Sequence, residues 1–169
     1  MRLGTKNKVL KPRIDKRHSK PFVSDKIVCR KSLLCNGIGV FTKRVINKGE
    51  KIVEFTGEPT SHSHYYTLQI GDNEHIGPSG GMDDYVNHSC NPNCYINFGD
   101  MTLIAIRKIK KGKELSFSYC TTDYDLGNSS FECKCGSKKC LGEVKGFVSL
   151  SRKEKVKMRP LLFPYLLNK

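Results

Sequence analysis

The chain has 169 residues, of which 37% are hydrophobic, so it is long enough for one domain with a core of ordinary size. It has no run of eighteen apolar residues and no apolar stretch at its start, so we expect a soluble, intracellular protein that does not enter a membrane. Its net charge of +14 is concentrated at the ends, with +9 over residues 1–31, zero over 32–142 and +5 over 143–169. Such basic ends make nucleic acid a candidate partner, and a solvated tail is the alternative.

The first half of the chain predicts a basic arm followed by short strands. Residues 1–25 mix Lys, Arg, Pro and Ser without an apolar period, which indicates a basic N-terminal arm. Short β-like runs follow at residues 51–55, 66–70 and 101–106, each bounded by turn-forming residues. The body of the chain is therefore predicted to be mostly β.

Two turns within this body share one pattern. Residues 46–52 resemble residues 109–115, because in both segments a glycine-containing turn leads into a strand-like run. This weak internal similarity predicts two similar turn-strand units. A single pair of such segments does not indicate a solenoid.

The end of the chain, residues 143–169, predicts a helical extension. Ser151 and Glu154 have the spacing of a capping box, and the apolar residues after them recur at roughly helical intervals. Pro160 and Pro164 are expected to break this C-terminal helix.

The segment 87–94, with the sequence NHSCNPNC, has the most unusual chemistry in the chain. Its amide, hydroxyl and imidazole groups favour local hydrogen bonds to the backbone, and Pro92 forces Asn91 toward an extended conformation. We therefore expect a rigid polar loop here, at the place where the chemistry of the protein is concentrated.

Three cysteines within eight residues, Cys133, Cys135 and Cys140, predict a metal site. Zinc suits thiolate ligands from a tight loop, and their crowding in this short segment favours a reducing compartment over disulfide bonds. A fourth ligand is needed from elsewhere, unless water takes the position. Cys90 and Cys94 are the leading candidates, whereas the alternative for the whole group is a set of buried thiols or a disulfide.

In their order along the chain, these segments resemble the SET-domain family of protein lysine methyltransferases, followed by a post-SET zinc-binding segment. The resemblance covers about residues 26–142 and is carried by residues 36–41, 55–58, 85–93 and 114–119 together with the cysteine spacing. It implies a SET domain over 26–122 and a post-SET segment over 123–142. The implied fold is a mostly β clip of several small sheets, in which the segments around Asn87 and Glu114 cross as a pseudoknot, with the predicted C-terminal helix after it.

The resemblance also implies a cofactor site and a catalytic residue. S-adenosyl-L-methionine is implied to bind at Gly37, Ile38, Gly39, Asn87 and His88. The two glycines would let the backbone approach the cofactor closely. Tyr119 matches the catalytic tyrosine of the family, whose hydroxyl would orient the methyl group and the amine.

Three further residues are implied to line the channel for the substrate lysine: Tyr66, Phe117 and Tyr124. Tyr65 is the alternative to Tyr66, because a slip of one residue would exchange their faces. Phe117 leaves more room than a tyrosine would, which favours di- or trimethylation. Cys90 matches the fourth zinc ligand and would complete a structural site of four thiolates.

Two departures from the family pattern are visible, since Asp84 stands where many members have Arg and Ser118 where Asp is common. The leading hypothesis is a protein lysine methyltransferase acting on histone tails, located in the nucleus or on chromatin if the source is eukaryotic. The rival hypothesis is a zinc-stabilised module that binds chromatin or nucleic acid without catalysis, and it predicts steeply salt-dependent DNA binding and no cofactor binding.

Overall fold

The structure, a computed structural model, describes residues 24–169. The predicted arm therefore lies almost entirely outside the described residues. The described part contains short strands and one short α-helix: β1 (Ile27–Lys31), β2 (Ile38–Thr42), β3 (Lys51–Glu54), β4 (Pro59–Thr60), β5 (Leu68–Gln69), β6 (His75–Ile76), β7 (Asn87–His88), β8 (Cys94–Asn97), β9 (Thr102–Ala105), β10 (Ser116–Phe117), β11 (Phe131–Glu132), β12 (Glu143–Val144) and α1 (Arg152–Met158).

These strands form five small sheets, which confirms the mostly β prediction. Strands β1 and β2 pair antiparallel, as do β11 and β12, while β9 lies between β3 and β8, and β6 lies between β4 and β5. The strands predicted at 51–55 and 101–106 correspond to β3 and β9. The run 66–70 forms a strand only over β5, because His64 accepts a hydrogen bond from the Thr67 N–H and holds the preceding residues in a turn.

The fifth sheet joins two segments that are far apart in the sequence. Strands β7 and β10 pair in parallel, with Asn87 opposite Ser116 and His88 opposite Phe117. The Ser89 N–H then donates to the Phe117 carbonyl at 3.0 Å. The two motifs that carried the resemblance are therefore direct neighbours in the fold.

The C-terminal segment is helical for only two turns. Helix α1 begins at the predicted capping box, since the Ser151 side chain accepts from the Glu154 N–H and the Glu154 carboxylate accepts from the Ser151 N–H. Two short 3-10 helices follow, Arg159–Leu161 and Pro164–Asn168, each with a proline in its first turn. The prolines thus divide the helix at the expected places.

Two hydrophobic clusters form the interior. The larger one lies among the sheets of the β domain and includes Phe163 from the C-terminal segment, which is 1% exposed. The second cluster lies between the cysteine-rich segment and the C-terminus, and it includes Cys120, Phe147 and Leu166. The Phe163 N–H also donates to the Thr121 carbonyl at 2.9 Å, so the C-terminal segment is attached to the chain just after β10. Within residues 24–169, no helix is long and apolar enough to cross a membrane.

Candidate active site

A cavity of about 1060 Å³ lies beside the β7–β10 pair. Six of the residues predicted to bind the cofactor or the substrate line it, together with Tyr119, the predicted catalytic residue: Gly37, Ile38, Tyr66, Asn87, His88 and Phe117. Gly39 and Tyr124 are not among the lining residues. The structure therefore brings most of the predicted site together from four distant parts of the chain.

The polar edge of this cavity is held by a buried carboxylate, that of Glu114. One carboxylate oxygen accepts from the Ser32 hydroxyl at 2.7 Å and from the Asn87 amide at 2.9 Å, and the other accepts from the Leu33 N–H at 2.8 Å. The Asn87 amide also donates to the Ile38 carbonyl at 2.9 Å. Glu114 therefore fixes Asn87 against β2, a role that its position before β10 in the sequence did not reveal.

Gly39 is needed for this carboxylate to fit. A Cβ atom at Gly39 would lie 2.1 Å from Oε1 of Glu114, whereas a Cβ atom at Gly37 would meet only the Cys35 sulfur at 3.4 Å. Gly39 is buried and lies behind the cavity wall. Its lack of a side chain therefore makes room for Glu114, and its predicted contact with the cofactor stays a prediction.

His88 connects the cavity to the cysteine cluster. Its Nδ1 accepts from the Tyr119 N–H at 3.1 Å, and its Nε2 lies 3.2 Å from the Cys90 sulfur. Burial lowers the pKa of His88 to about 4, so the ring is neutral at pH 7 and carries its proton on Nε2. The Nε2–H group then points at Cys90, which identifies His88 as a residue that orients this sulfur.

Tyr119 is enclosed by aromatic rings and remains a neutral phenol. Its ring centroid lies 5.0 Å from that of Phe117 and 5.4 Å from that of His88, and its hydroxyl donates to the Val86 carbonyl at 3.2 Å. Burial raises the pKa of Tyr119 above its usual value. The hydroxyl is therefore positioned by the main chain and keeps lone pairs with which it can accept a hydrogen bond or polarise a methyl group.

The two candidate channel tyrosines have different surroundings. Tyr66 packs at 5.9 Å from Tyr85 in the cavity wall, whereas the side chain of Tyr65 is 75% exposed at the rim. The pairing with Tyr85 favours Tyr66 as the residue that shapes the channel. Sequence reasoning missed Tyr85 as a wall residue, although it directly precedes the segment Val86–Asn87.

Asp123 lines the cavity, whereas the neighbouring Tyr124 does not. The Tyr124 ring instead packs against Phe147, with the Lys169 ammonium group 5.4 Å from its centroid. The short 3-10 helix Tyr119–Thr121 ends two residues before Asp123. The predicted contact of Tyr124 with the substrate stays a prediction. Burial raises the pKa of Asp123 to about 7, and its carboxylate accepts from the Thr122 hydroxyl at 2.7 Å.

Four cysteine sulfurs, those of Cys90, Cys133, Cys135 and Cys140, lie within 4.8 Å of one another. The sulfurs of Cys90 and Cys133 are 3.7 Å apart. Tetrahedral zinc with Zn–S bonds of 2.3 Å would place its sulfurs about 3.8 Å apart, so this donor set fits zinc. Cys94, the other candidate for the fourth ligand, is fully buried in the larger hydrophobic cluster instead.

Asp84 has a structural use at the position where many SET-domain sequences have Arg. Its carboxylate accepts from the N–H groups of Ser79 and Gly80 at 2.9 and 2.8 Å, which holds the loop before Tyr85 in a tight turn. This departure from the family pattern therefore supports the wall of the cavity.

The parallel β7–β10 pair, the small sheets around it and the lined cavity define the architecture of a SET domain. Residues 37–120 indeed match the SET domain family, so the chain is a SET-domain protein. It is 32% identical to a protein of Mycosarcoma maydis named histone-lysine N-methyltransferase, H3 lysine-36 specific, in a match that covers 65% of this chain and 14% of that protein.

Two further relatives have the same kind of name or domain. The chain is 35% identical to the histone-lysine N-methyltransferase NSD3 of Mus musculus, over 63% of this chain and 9% of that protein. It is 30% identical to the variant-silencing SET domain-containing protein of Plasmodium falciparum (isolate 3D7), over 62% of this chain and 5% of that protein. The chain thus spans less than a fifth of the length of these curated relatives.

The two glycines of β2 and its approach give a matched pair of variants. Gly39→Ala should lower the free energy of unfolding by about 1–3 kcal/mol, because its new methyl group overlaps Glu114. Gly37→Ala should change the free energy of unfolding by less than about 0.5 kcal/mol. Denaturant unfolding of both variants measures this. Adding Glu114→Asp to Gly39→Ala should recover part of the loss, since the carboxylate withdraws by one methylene. Equal destabilisation by the two alanines would contradict the role given to Glu114.

Asp123 predicts a pH dependence of stability. Its folded pKa of about 7 lies above the unfolded value of 3.8, so the folded state holds the proton more tightly and stability falls as the pH rises between these values. Asp123→Asn removes this loss. The variant should gain on the order of 2 kcal/mol relative to the unchanged protein between pH 5 and pH 8 in denaturant unfolding. Parallel stability curves for the two proteins would show that Asp123 keeps an ordinary pKa.

Proposed function

We propose that the chain is an S-adenosyl-L-methionine-dependent protein lysine N-methyltransferase that acts on histones. The observation that carries this proposal is a single cavity lined by Asn87, His88 and Tyr119, within a chain segment that matches the SET domain family. The names of the relatives, which call two of the three histone-lysine N-methyltransferases, support the same reaction class and substrate class.

The residues at the polar edge fit the cofactor. The main chain of Gly37 and Ile38 and the segment Asn87–His88 line the same part of the cavity wall, and Glu114 fixes them relative to one another. These residues would hold S-adenosyl-L-methionine, which when bound supplies an electrophilic methyl group on a sulfonium. Their fixed positions lower the entropic cost of aligning donor and acceptor.

The remaining wall residues act on the substrate lysine. Tyr66 and Phe117 would enclose its aliphatic chain. Enclosure in this largely aromatic wall beside a cationic donor lowers the pKa of the lysine, so it can lose its proton to solvent without a dedicated base. The Tyr119 hydroxyl, held by the Val86 carbonyl, would orient the neutral amine for in-line attack.

Phe117 supports di- or trimethylation as the outcome. Phenylalanine has no hydroxyl group, so none occupies the space beside Tyr119. Its ring is held in place, since it is 4% exposed and packs edge-on against Phe55 at 5.8 Å. The space admits an amine that already carries methyl groups. The methylation state of the histone product, read by mass spectrometry, tests this.

Zinc at the four cysteines would have a structural role. With four thiolates the metal has no position for a water ligand, so it would supply no catalytic chemistry. Its place next to His88 would attach the segment 133–140 to the cavity wall. The rival function, a chromatin- or nucleic-acid-binding module without catalysis, has the same zinc site and differs in predicting no binding of the cofactor.

Tyr119→Phe provides the direct test of the proposed reaction. The unchanged protein, incubated with labelled S-adenosyl-L-methionine and histones, should label histone H3, whereas the variant should lower kcat by roughly 10²-fold because it loses one oriented hydroxyl. Thermal unfolding of the variant should stay within a few degrees of the unchanged protein, since its lost hydrogen bond goes to a single carbonyl. No labelling by either protein together with no cofactor binding in calorimetry would favour the non-catalytic module.

Cys90 and Cys94 form a second matched pair, which tests the metal. Cys90→Ser should lower the zinc content of the purified protein and its methyl-transfer activity together, because one of four ligands is lost. Cys94→Ser should leave one zinc per chain, since Cys94 lies in the hydrophobic cluster. Metal analysis by mass spectrometry measures both. Zinc loss from Cys94→Ser alone would overturn the ligand set.

A further inference from the structure

The two turns that share a sequence pattern are adjacent in the structure. Ile46 and Ile109 form an antiparallel bridge, in which each N–H donates to the other carbonyl at 2.9 and 2.8 Å. On one side of this bridge the Gly112 N–H donates to the Thr42 carbonyl, and on the other side the Gly49 N–H donates to the Ala105 carbonyl. These reciprocal bonds relate the two segments by an approximate twofold axis. We call residues 42–50 and 105–113 together the basic ribbon.

Charge is strongly segregated into this ribbon. Residues 32–142 contain twelve Lys and Arg and twelve Asp and Glu, so their net charge is zero. Eight of these twelve basic residues lie in the ribbon, whereas Glu50 is its single acidic residue. The basic residues are Lys43, Arg44, Lys48, Arg107, Lys108, Lys110, Lys111 and Lys113. The neutral total of the domain therefore conceals a concentrated positive surface.

Most of this charge is free to bind a partner. Glu50 neutralises only Arg44, at 2.7 Å, and approaches Lys26 at 4.0 Å. Within residues 24–169, none of the six ribbon lysines forms an ion pair, and all six are exposed. The next acidic residue, Glu114, is buried and bonded to Ser32 and Asn87. The ribbon thus keeps several uncompensated positive charges on one hydrogen-bonded unit.

We propose that the basic ribbon binds the phosphate backbone of double-stranded DNA. Six exposed lysines on two hydrogen-bonded segments can contact several phosphates of a duplex at once. Each contact releases counterions from the DNA, which favours binding. The ribbon has no aromatic residue, so it lacks the stacking surface that proteins use for single strands. Its exposed apolar surface is limited to Val45, at 41% exposure, which is too little for an apolar contact with an acidic peptide.

The ribbon is separate from the residues of the proposed reaction. A second, smaller cavity is lined by Arg107, Lys108, Lys110 and Lys113 of the ribbon. Glu114 and five uncharged residues complete its lining, and among these only Leu34 also lines the first cavity. Binding of DNA to the ribbon therefore needs neither the cofactor nor the channel. DNA binding at the ribbon would be a property beyond the proposed methyl transfer, and it is measured without a methyl-transfer assay.

The test measures binding of a fluorescent duplex of about 20 base pairs to the full chain by anisotropy, at several salt concentrations. The triple variant Lys108→Glu, Lys110→Glu and Lys111→Glu should weaken binding at least tenfold at the same salt concentration. It should also reduce the slope of log affinity against log salt by about 2–3, because each lost phosphate contact accounts for about 0.9. An unchanged melting temperature and zinc content show that the variant is folded.

Two matched controls change the net charge equally at other places. The first is Arg152→Glu, Lys153→Glu and Lys157→Glu on the exposed surface of α1, and the second is Lys16→Glu, Arg17→Glu and Lys20→Glu in the predicted arm. Each should weaken binding by less than about threefold, the effect expected from long-range steering alone. Equal losses in all three variants, or a loss confined to a control, would overturn the proposal.

The choice of probe separates double-stranded DNA from other polyanions. Unlabelled duplex should displace the labelled duplex at a concentration well below that of a single strand or of polyglutamate with the same number of charges. Displacement by polyglutamate at the same charge concentration would assign the ribbon to an acidic protein partner and overturn the proposal. Preferential displacement by the single strand would likewise contradict it.

Discussion

The carboxylate of Glu114 is the interaction on which the site depends most. It is buried, and its hydrogen bonds reach Ser32, Leu33 and Asn87. Because a buried charge is tolerated only when its acceptor positions are satisfied, these donors and the carboxylate require one another. The glycine at position 39 follows from the same requirement, since any side chain there would occupy the position of the carboxylate. One ionic group therefore determines both the residue type in β2 and the orientation of the cavity edge.

A second connection joins the cavity to the cysteine cluster. His88 contacts the Tyr119 main chain with one ring nitrogen and the Cys90 sulfur with the other. Because burial keeps the ring neutral, the two nitrogens have opposite hydrogen-bonding roles, and the tautomer is fixed by Tyr119. The His88 ring thus contacts both Cys90 and the main chain of Tyr119.

The sequence predicted the parts of this structure that depend on local chemistry. The turn residues around β3 and β9, the capping box at Ser151 and the prolines of the C-terminal segment each act over a few residues, and the structure has them at the expected places. The three clustered cysteines likewise come together because they are adjacent in the chain, and the family resemblance added Cys90. These features needed no knowledge of the packing.

The remainder depends on contacts between distant residues. Glu114 was visible only as a member of a motif, because its partners at positions 32, 33 and 87 come from two other segments. Tyr124 was expected in the channel, whereas its ring packs against Phe147 and the neighbouring Asp123 lines the cavity. The similarity between residues 46–52 and 109–115 was visible in the sequence, whereas the pairing of the two turns was not.

Phe163 has a consequence for the boundary of the folding unit. The SET domain match ends at residue 120, yet this ring, from more than forty residues later, fills the hydrophobic cluster that supports the sheets. The main chain of the same residue bonds to Thr121, two residues after Tyr119. A fragment that ended with the family match would lack this ring, so the folding unit around the cavity extends at least to Phe163.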